Sequence, residues 1–516
     1  MKLALRLLCF TVSATTIFAA APRSLSRAEL RDKIRGAWAG QMIGVTYGAP
    51  TEFHALGRTF DEPIKPEAIT NAIVQDDLYV EMTFSKVLDT VGLDATSDDY
   101  GAAFAQSRYE LWHANAAARR NLQRGLSAAL SGDPRYNAHC DDIDFQIESD
   151  FIGILCPGLP AEANRLGVRV GRVMNHGDGL YGGLFIAGMY SAAFFESDPR
   201  RVVEAGLASI PADSGYGRII RDLLDWHAAY PGDWRKIWQL LADKWDRDDI
   251  CPEGAHRPFN IDAKLNGAYL ALGLLAGNGD WQRTMEIATR CGQDSDCNPS
   301  SACGVLGAMI GFERIPAEHR AAVLSIAERK FDYTDYSFRD IVASSERLAL
   351  AVIQRAGGRV DDLQVVIPRQ TVTPPPLESS GYGRPVQLIN VDEAAWTWRG
   401  AWEAKPGQFW SDKYVAREAN GAGAEAELKF RGTGVVLIGS LIHDGGRADV
   451  FIDGVKCDLV ADAYVDDTRT HDNDLWRLPG LSDGEHTLRI LTRSDADPHS
   501  TGRRFGVIRA VIYRAP

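Results

Sequence analysis

The sequence predicts a multidomain protein in which an all-α domain is followed by an all-β sandwich of the jelly-roll type. Three observations support this fold class. Apolar residues recur at helical spacing between about residues 26 and 358, short alternating segments follow residue 385, and a run of prolines lies between the two regions. The chain has 516 residues, more than a single hydrophobic core usually accommodates.

The first 21 residues are predicted to be a signal peptide. Lys2 and Arg6 give it a basic start, residues 7–20 form an apolar run, and alanines at 19–21 provide a cleavage site before Pro22. The run is too short to cross a bilayer, and no later segment is long and apolar enough to do so. We therefore expect an exported protein, periplasmic or extracellular, without a transmembrane segment.

Residues 26–358 are predicted to form the all-α domain. Ser26 and Glu29 have the spacing of a capping box at the start of the first helix. Further along, apolar residues recur every three or four positions, as at Val80, Phe84 and Val87. Because alternating strand patterns are scarce in this region, we expect helices throughout.

Residues 359–384 are predicted to be a linker rich in proline, serine and glycine, with a polyproline stretch at 374–376 and a flexible turn at 379–381. Residues 385–516 are predicted to form a β-sandwich accessory domain. Apolar and charged residues alternate in several short segments there, one of which ends in the hairpin turn Asp453-Gly454. We expect the two domains to be separable near Pro374.

Tryptophans are frequent in the predicted sandwich. Exposed indoles stack on sugar rings, so these residues favour a carbohydrate-binding domain of the kind attached to secreted glycosidases, with a polysaccharide as a candidate partner. The alternative is that they fill the core of the sandwich. The residues concerned are Trp396, Trp398, Trp402, Trp410 and Trp476.

Charge and cysteine content argue against two classes of site. The formal net charge is −13 and no basic stripe is present, so nucleic acid is not expected as a partner. No two cysteines have C-x-x-C spacing, so a zinc site of that type is not predicted. Seven cysteines remain without Cys9 of the signal peptide, and Cys140 and Cys156 are candidates for a disulfide.

Two acidic motifs dominate the helical region. Residues 75–77 (Gln-Asp-Asp) and residues 292–298 (Gly-Gln-Asp-Ser-Asp-Cys-Asn) each precede an apolar helical pattern. Acids at a helix start interact favourably with its dipole, and this alone explains one or two of them. The alternative is a site for a hard divalent cation, which prefers several carboxylate oxygens. A third acidic stretch, residues 141–150, is expected to be a solvated helix face or to line the cleft.

Four motifs in order resemble the ADP-ribosylglycohydrolase family. Residues 40–44 (Gly-Gln-Met-Ile-Gly) and 48–53 (Gly-Ala-Pro-Thr-Glu-Phe) resemble its opening helix and loop. Residues 75–77 fall where the family has Thr-Asp-Asp, residues 175–178 (Asn-His-Gly-Asp) look like its central helix entry, and residues 279–312 resemble its closing block. The resemblance covers about residues 28–330.

This resemblance implies an all-helical fold with a site for one or two Mg²⁺ ions. The metal ligands that it implies include Asp76, Asp77, Asp294 and Asp296, with Asp77 also a catalytic residue. Glu52 matches the functional glutamate of the family and is expected to act as the general base.

Two positions depart from the family pattern, which has threonine at 75 and a hydroxyl residue at 297. Gln75 can still offer a carbonyl oxygen, whereas the thiol of Cys297 is a poor Mg²⁺ ligand. The site is therefore expected to hold a single Mg²⁺ or to accept a softer ion such as Mn²⁺ or Zn²⁺, with the thiol ionised. By the same resemblance, Asn175, His176, Gly177 and Asp178 are candidates for substrate binding.

The function expected from the sequence is that of an exported, metal-dependent glycohydrolase acting on a small glycoside. It would hydrolyse an N- or O-glycosidic bond to a ribosyl, furanosyl or other glycosyl unit. One alternative is a true hydrolase of ADP-ribosyl-protein or other ADP-ribose conjugates. Another is a non-catalytic protein that binds a sugar or nucleotide on the same fold.

Overall fold

The computed structural model describes residues 21–246, 249–409, 412–466 and 474–515. Residues 1–20 of the predicted signal peptide and Trp410 lie outside the described residues. Helices fill the first part of the described chain and antiparallel strands fill the last part, which confirms the predicted fold class. No helix in the described ranges is both long and apolar enough to span a bilayer.

The helical domain contains long buried helices joined by short connections and 3₁₀ turns. Its helices are α1 (Arg27–Gly48), α2 (Asp76–Thr90), α3 (Ser97–Ala105), α4 (His113–Gln123), α5 (Ala128–Ser131), α6 (Asp144–Ile147), α7 (Asp150–Leu155), α8 (Pro160–Gly171), α9 (Gly177–Ala193), α10 (Pro199–Leu207), α11 (Gly215–Ala229), α12 (Trp234–Trp245), α13 (Ala263–Gly277), α14 (Trp281–Arg290), α15 (Cys297–Ile310), α16 (Ala317–Ser325) and α17 (Phe338–Arg355). The 3₁₀ helices are Ala49–Thr51, Ile69–Val74 and Phe312–Arg314.

Helices α1 and α15 pack unusually close together because glycines line one face of α1. A Cβ atom added to Gly40 would lie 2.2 Å from the carbonyl oxygen of Cys303, and one added to Gly44 would lie 2.1 Å from that of Pro299. Gly36 and Gly48 meet the α15 side in the same way. Residues four apart share one helix face, so this spacing lets the two backbones touch along about three turns of α1.

The strands of the C-terminal domain form two six-stranded sheets. One sheet has the order β11-β10-β14-β8-β5, with β12 also paired to β10; the other has the order β13-β9-β15-β7-β6, with β4 also paired to β15. The strands are β4 (Arg384–Asn390), β5 (Trp396–Arg399), β6 (Glu403–Phe409), β7 (Asp412–Asn420), β8 (Glu425–Gly432), β9 (Gly434–Gly439), β10 (Gly446–Ile452), β11 (Val455–Lys456), β12 (Ala461–Asp462), β13 (Asp474–Leu478), β14 (Gly484–Ala496) and β15 (Arg504–Arg514). Alternate residues of both sheets fill a common core, as expected for a sandwich.

The segment predicted as a linker is more ordered than its composition indicates. Its first part forms β2 (Arg359–Val360) and β3 (Gln364–Ile367), and β3 pairs with both β2 and β1 (Arg23–Ser26) in a small sheet. Further on, Tyr181 Oη donates a hydrogen bond to the carbonyl oxygen of Pro376 (2.8 Å), and Arg172 pairs with Glu378. The predicted flexible spacer is therefore held against the helical domain, because its backbone and acids find partners there.

The sandwich also meets the helical domain through a buried interface. An apolar cluster joins Ala138 and Ile250 of the helical domain to Val511 and Tyr513 of β15. The hydroxyl of Tyr513 donates to the carbonyl oxygen of Ile250 (2.8 Å). The sequence predicts that the two domains can be separated near Pro374. Cutting the chain there would expose these apolar groups to water.

The tryptophans and cysteines discussed above are buried or hydrogen-bonded within the protein where the structure describes them. Trp396 and Trp476 are buried in the sandwich core, and the indole of Trp402 donates to a backbone carbonyl oxygen. Cys140 and Cys156 are buried free thiols, so the candidate disulfide between them is not formed. These tryptophans therefore follow the core alternative.

Candidate active site

Glu52 is positioned by the close packing of α1 and α15. The chain leaves α1 through a 3₁₀ turn, where Thr51 Oγ1 lies 2.7 Å from Ser295 Oγ in a hydrogen bond. The amide of Phe53 donates to the carbonyl oxygen of Gln293 (3.1 Å). These bonds tie the turn that carries Glu52 to the loop that carries the second acidic motif, although the two are more than 240 residues apart in sequence.

The first acidic motif begins α2, as predicted. Asp76 Oδ1 accepts a hydrogen bond from the amide of Asp77 (3.1 Å). Asp77 is buried and accepts a hydrogen bond from Ser300 Oγ of α15 (2.6 Å). The side-chain amide of Gln75, the residue before these acids, donates a hydrogen bond to Asn71 Oδ1 (2.7 Å). The motif therefore lies against the N-terminal end of α15.

The second acidic motif forms the loop before α15 and the first two residues of this helix. Asp296 is the N-cap of this helix, and its Oδ1 accepts from the amide of Cys297 (2.9 Å). One potential ligand atom from each of Asp294, Asp296 and Cys297 lies within 4.8 Å of the others. All three side chains are buried, so the loop presents two carboxyl groups and a thiol at one point.

The structure brings the acids of both motifs and Glu52 into one electrostatic cluster. Burial and the charge of Asp296 raise the pKa of Asp76 to about 6. Burial, followed by the repulsion of Asp296, raises the pKa of Asp294 well above its usual range. The side chain of Glu52 is open to the cavity, and the charge of Asp296, followed by burial, raises its pKa as well. Acids that repel one another in this way favour a bound cation.

The donor set fits a hard divalent cation. The Oδ1 atoms of Asp77 and Asp294 are buried and have no hydrogen-bond partner among the described residues. Unpaired carboxylate oxygens of this kind suit Mg²⁺ or Mn²⁺. Burial raises the pKa of the Cys297 thiol well above its usual value, which leaves a neutral and weak donor beside the oxygens.

A cavity of about 650 Å³ opens over this cluster. Its described lining includes six carboxylic acids, one guanidinium group and several aromatic rings. Burial lowers the pKa of His113, another lining residue, to about 3, so its imidazole is neutral. The lining residues are Glu52, Phe53, Leu56, Val74, Gln75, Asp76, Tyr79, Trp112, His113, Asn115, Ile143, Asp144, Ile147, Glu253, Arg257, Pro258, Phe259, Ile261, Asp294, Asp296 and Cys297.

Several of these lining residues could not be found from sequence patterns. Trp112, His113 and Asn115 at the start of α4 belong to no recognisable motif. Asp144 lines the cavity but uses its carboxylate to accept from the amides of Ala114 and Asn115. The acidic stretch 141–150 is buried, in contrast to the expected solvated face, because its carboxylates cap backbone amides and pair with buried groups.

The predicted substrate-binding motif at 175–178 lies outside the cavity lining. Asn175 is fully buried, and its amide donates to the carbonyl oxygens of Cys140 (2.9 Å) and Asp142 (2.8 Å). His176 lies beside Arg172 and Glu378, and Asp178 accepts from the amide of Tyr216 (3.0 Å). Gly177 has a φ of +53° at the start of α9. The side chains of Asn175, His176 and Asp178 contact other parts of the protein, and substrate binding by this motif stays a prediction.

Comparison with known proteins decides the family. The family model described as ADP-ribosylglycohydrolase matches residues 26–354, which is more than half of the chain. The chain belongs to the ADP-ribosylglycohydrolase family. Its ADP-ribosylglycohydrolase domain thus comprises the helical part, and the family supports a glycohydrolase-type function.

Other likenesses are partial. The chain is 35% identical over 97 residues to an "A type blood alpha-D-galactosamine galactosaminidase" of Flavonifractor plautii, a stretch that spans 18% of this chain and 8% of that relative. A solved "ADP-ribosylglycohydrolase-related protein complex" matches 63% of this chain and 99% of that chain at 17% identity, with a TM-score of 0.39. A two-domain esterase active on acetylated mannans, solved with mannopentaose, matches 34% of this chain and 45% of that chain at 13% identity, with a TM-score of 0.21.

Proposed function

We propose that this member of the ADP-ribosylglycohydrolase family hydrolyses a glycosidic bond in the cavity above the carboxylate cluster. The observation that carries the proposal is the convergence of Glu52 with Asp76, Asp294 and Asp296, since the charge of Asp296 and that of Asp76 act on Glu52 directly. Asp76, Asp294 and Asp296, with Asp77 behind them, would hold the cation, for which Mg²⁺ is the first candidate and Mn²⁺ the second.

The residues divide the chemistry between them. When bound, a divalent cation supplies positive charge that orients sugar hydroxyls and acidifies a water molecule. Glu52 is open to the cavity, where its carboxylate would act as the general base that takes the proton from the attacking water. The rings of Phe53 and Phe259, 5.2 Å apart on the cavity wall, offer an apolar surface to the face of a sugar.

The charge of the cavity favours a neutral glycoside as substrate over an ADP-ribosyl conjugate. Arg257 is the one guanidinium among the described lining residues, against three acids that are not assigned to the cation, namely Glu52, Asp144 and Glu253. A pyrophosphate brings further negative charge and usually binds to several cationic side chains. The short similarity to a galactosaminidase agrees with a glycoside, and ADP-ribosyl conjugates remain the second candidate class because of the family.

Turnover by purified protein tests this proposal. Nitrophenyl α- and β-glycosides of furanosyl and pyranosyl sugars should be compared with ADP-ribosylated peptides, each with and without added Mg²⁺. We expect Mg²⁺-dependent release of nitrophenol from at least one glycoside. The Glu52→Gln variant should lower kcat by about 10²–10⁴-fold, the usual contribution of a proton-transfer group.

Glu67→Gln is the matched control, because Glu67 follows Glu52 in the same surface segment and is exposed. It should keep wild-type kcat. If Glu52→Gln and Glu67→Gln behave alike on every substrate, Glu52 has no catalytic role. If neither substrate class is turned over at all while Mg²⁺ binds, the non-catalytic alternative replaces the glycohydrolase.

Export and carbohydrate binding by the sandwich are further parts of the proposal. Export follows from the predicted signal peptide, and the mass of the mature N-terminus after expression in a secreting host tests it. A polysaccharide partner rests on Trp398, because this side chain is only half-buried where it stacks on the buried Trp396 at 5.1 Å. Retention of the protein on insoluble polysaccharides tests this second part.

A further inference from the structure

Two histidines, an aspartate and a cysteine meet beside the cavity, apart from the carboxylate cluster. His113 begins α4, His139 and Asp142 lie in the loop between α5 and α6, and Cys251 lies between α12 and α13. One potential ligand atom from each side chain lies within 4.8 Å of those from the other three. The group spans 139 residues of sequence, so no short sequence motif could predict it.

The distances within this group approach those of a tetrahedral zinc site. His139 Nδ1 lies 2.9 Å from Asp142 Oδ2 and 3.5 Å from Cys251 Sγ. His113 Nδ1 lies 3.6 Å from the same oxygen of Asp142. Donors placed tetrahedrally around zinc at its usual bond lengths are separated by about 3.3–3.8 Å. Only small side-chain movements would therefore be needed to accept the ion.

Two atoms of the group have no hydrogen-bond partner among the described residues. They are Nδ1 of His113 and Oδ1 of Asp142, and both are buried. A buried polar atom without a partner costs about 1–3 kcal/mol, so such atoms are rare unless an ion or water satisfies them. His113 Nδ1 lies 3.6 Å from the other oxygen of the same Asp142 carboxylate, so the two unpartnered atoms belong to neighbouring side chains of the group.

The same residues do not form a nucleophilic triad. In a Cys-His-Asp triad the thiol and the carboxylate contact opposite nitrogens of the imidazole, so that a proton can pass through the ring. Here Cys251 and Asp142 both approach Nδ1 of His139. Cys251 is also fully buried and out of reach of a substrate. Donors that converge on one point match a metal site better.

We propose that His113, His139, Asp142 and Cys251 bind one zinc ion as a structural site. Two imidazole nitrogens, a thiolate and a carboxylate oxygen suit zinc, whereas Mg²⁺ prefers oxygen donors alone. Four protein ligands leave no open position for a water or substrate, which is the pattern of a structural site. The chain would thus hold two metals of different chemistry, with Mg²⁺ at the carboxylate cluster and zinc here.

The position of the site indicates what the ion would stabilise. The ring of His113 forms part of the cavity wall. The residue before Cys251 is Ile250, whose carbonyl oxygen accepts from Tyr513 of the sandwich (2.8 Å). By binding both His113 and Cys251, zinc would hold the cavity wall and the surface under the sandwich in fixed positions relative to each other.

Elemental analysis of the full-length protein tests the proposal. The protein is produced with zinc in the medium and dialysed against metal-free buffer before measurement. We expect about one zinc ion per chain in the wild type and at least a tenfold loss of retained zinc in Cys251→Ser. Cys291→Ser is the matched control, because Cys291 is also a buried free thiol but belongs to neither group, and it should retain the ion.

Cobalt substitution gives a second readout that identifies the liganding thiol. Cobalt-loaded wild type should show the absorption of a thiolate-bound tetrahedral ion, which should persist in Cys297→Ser and disappear in Cys251→Ser. Should Cys251→Ser be insoluble, the wild type and Cys297→Ser alone decide the matter. A wild type without zinc, or a cobalt band lost in Cys297→Ser, overturns the proposal. Neither outcome affects the Mg²⁺-dependent turnover that tests the glycohydrolase function.

Discussion

Arg120 of α4 and Asp474 of β13 form a buried ion pair that joins the two domains, with 2.6 Å between Nη2 and Oδ1. Arg477 reaches the other oxygen of the same carboxylate at 2.6 Å. Burial alone would raise the pKa of Asp474, but the charges of Arg477 and Arg120 outweigh it and lower the pKa to about 2. The aspartate of the folded protein is therefore ionised at neutral pH and stays ionised well below the usual pKa of an aspartate.

Asp474→Asn should destabilise the full-length protein by about 3–5 kcal/mol, because it leaves two buried guanidinium groups without their counter-ion. Because the folded pKa is depressed, the difference from wild type should be fully present above about pH 4 and shrink as pH falls towards 2. Chemical denaturation over this pH range measures it. Asp495→Asn, which removes an exposed ion pair with Arg493, should change stability little. Equal effects of the two variants would show that the buried pair has no special weight.

Gly44→Ala should lower both stability and activity. The added Cβ would lie 2.1 Å from the carbonyl oxygen of Pro299, so α1 and α15 must separate, and overpacking of this kind costs about 1–3 kcal/mol. Gly36→Ala is the matched control, with a Cβ 2.3 Å from the carbonyl oxygen of Gly307. Gly36 is about 12 Å farther along the helix from Glu52. We expect similar losses of Tm but a larger loss of kcat for Gly44→Ala, and equal losses of kcat would contradict a positioning role for this contact.

The metal-free protein should become less stable as pH rises. Burial and repulsion raise the pKa of Asp76 from 3.8 to about 6 and raise those of Asp77, Asp294 and Asp296 in the same direction. A raised folded pKa gives stability that is present at low pH and lost as pH rises through the folded value. After chelation, Tm should fall between pH 5 and pH 8, and added Mg²⁺ should restore it more strongly at pH 8. Asp296→Asn should flatten the dependence, and a Tm that rises with pH in chelated wild type would refute this account.

Cys297→Thr should strengthen Mg²⁺ binding. The buried thiol is neutral and soft, whereas a threonine hydroxyl is a hard oxygen donor at the same helix start. We expect a higher Mg²⁺ occupancy by calorimetry in Cys297→Thr, and loss of binding in Asp296→Ala. A wild type that already holds two Mg²⁺ ions, together with an unchanged Cys297→Thr, would exclude position 297 from the ligands.

Both acidic motifs could be read from the sequence because each depends on local structure. Asp76 and Asp77 begin α2 and Asp296 caps α15, so their positions follow from helix starts that sequence patterns reveal. The glycines at 40, 44 and 48 were likewise visible, although their contact with α15 was not. Asn175 and His176, which the sequence predicts to bind substrate, are not among the residues that line the cavity. A helix start near the site has the same local sequence pattern whether its side chains face the substrate or the protein interior, so the sequence could not distinguish the two.

The sequence by itself determined the order of the two domains, the helical and alternating periodicities, the family and the acids at two helix starts, all of which depend on residues close together in the chain. Only the tertiary structure decided that the predicted linker docks, that the acids at 141–150 are buried, and that His113 and Cys251 share a point with His139 and Asp142. Those features depend on contacts between residues from about 30 to more than 200 positions apart. Such contacts are set by how helices and sheets bury their apolar faces together, and no local pattern records that packing.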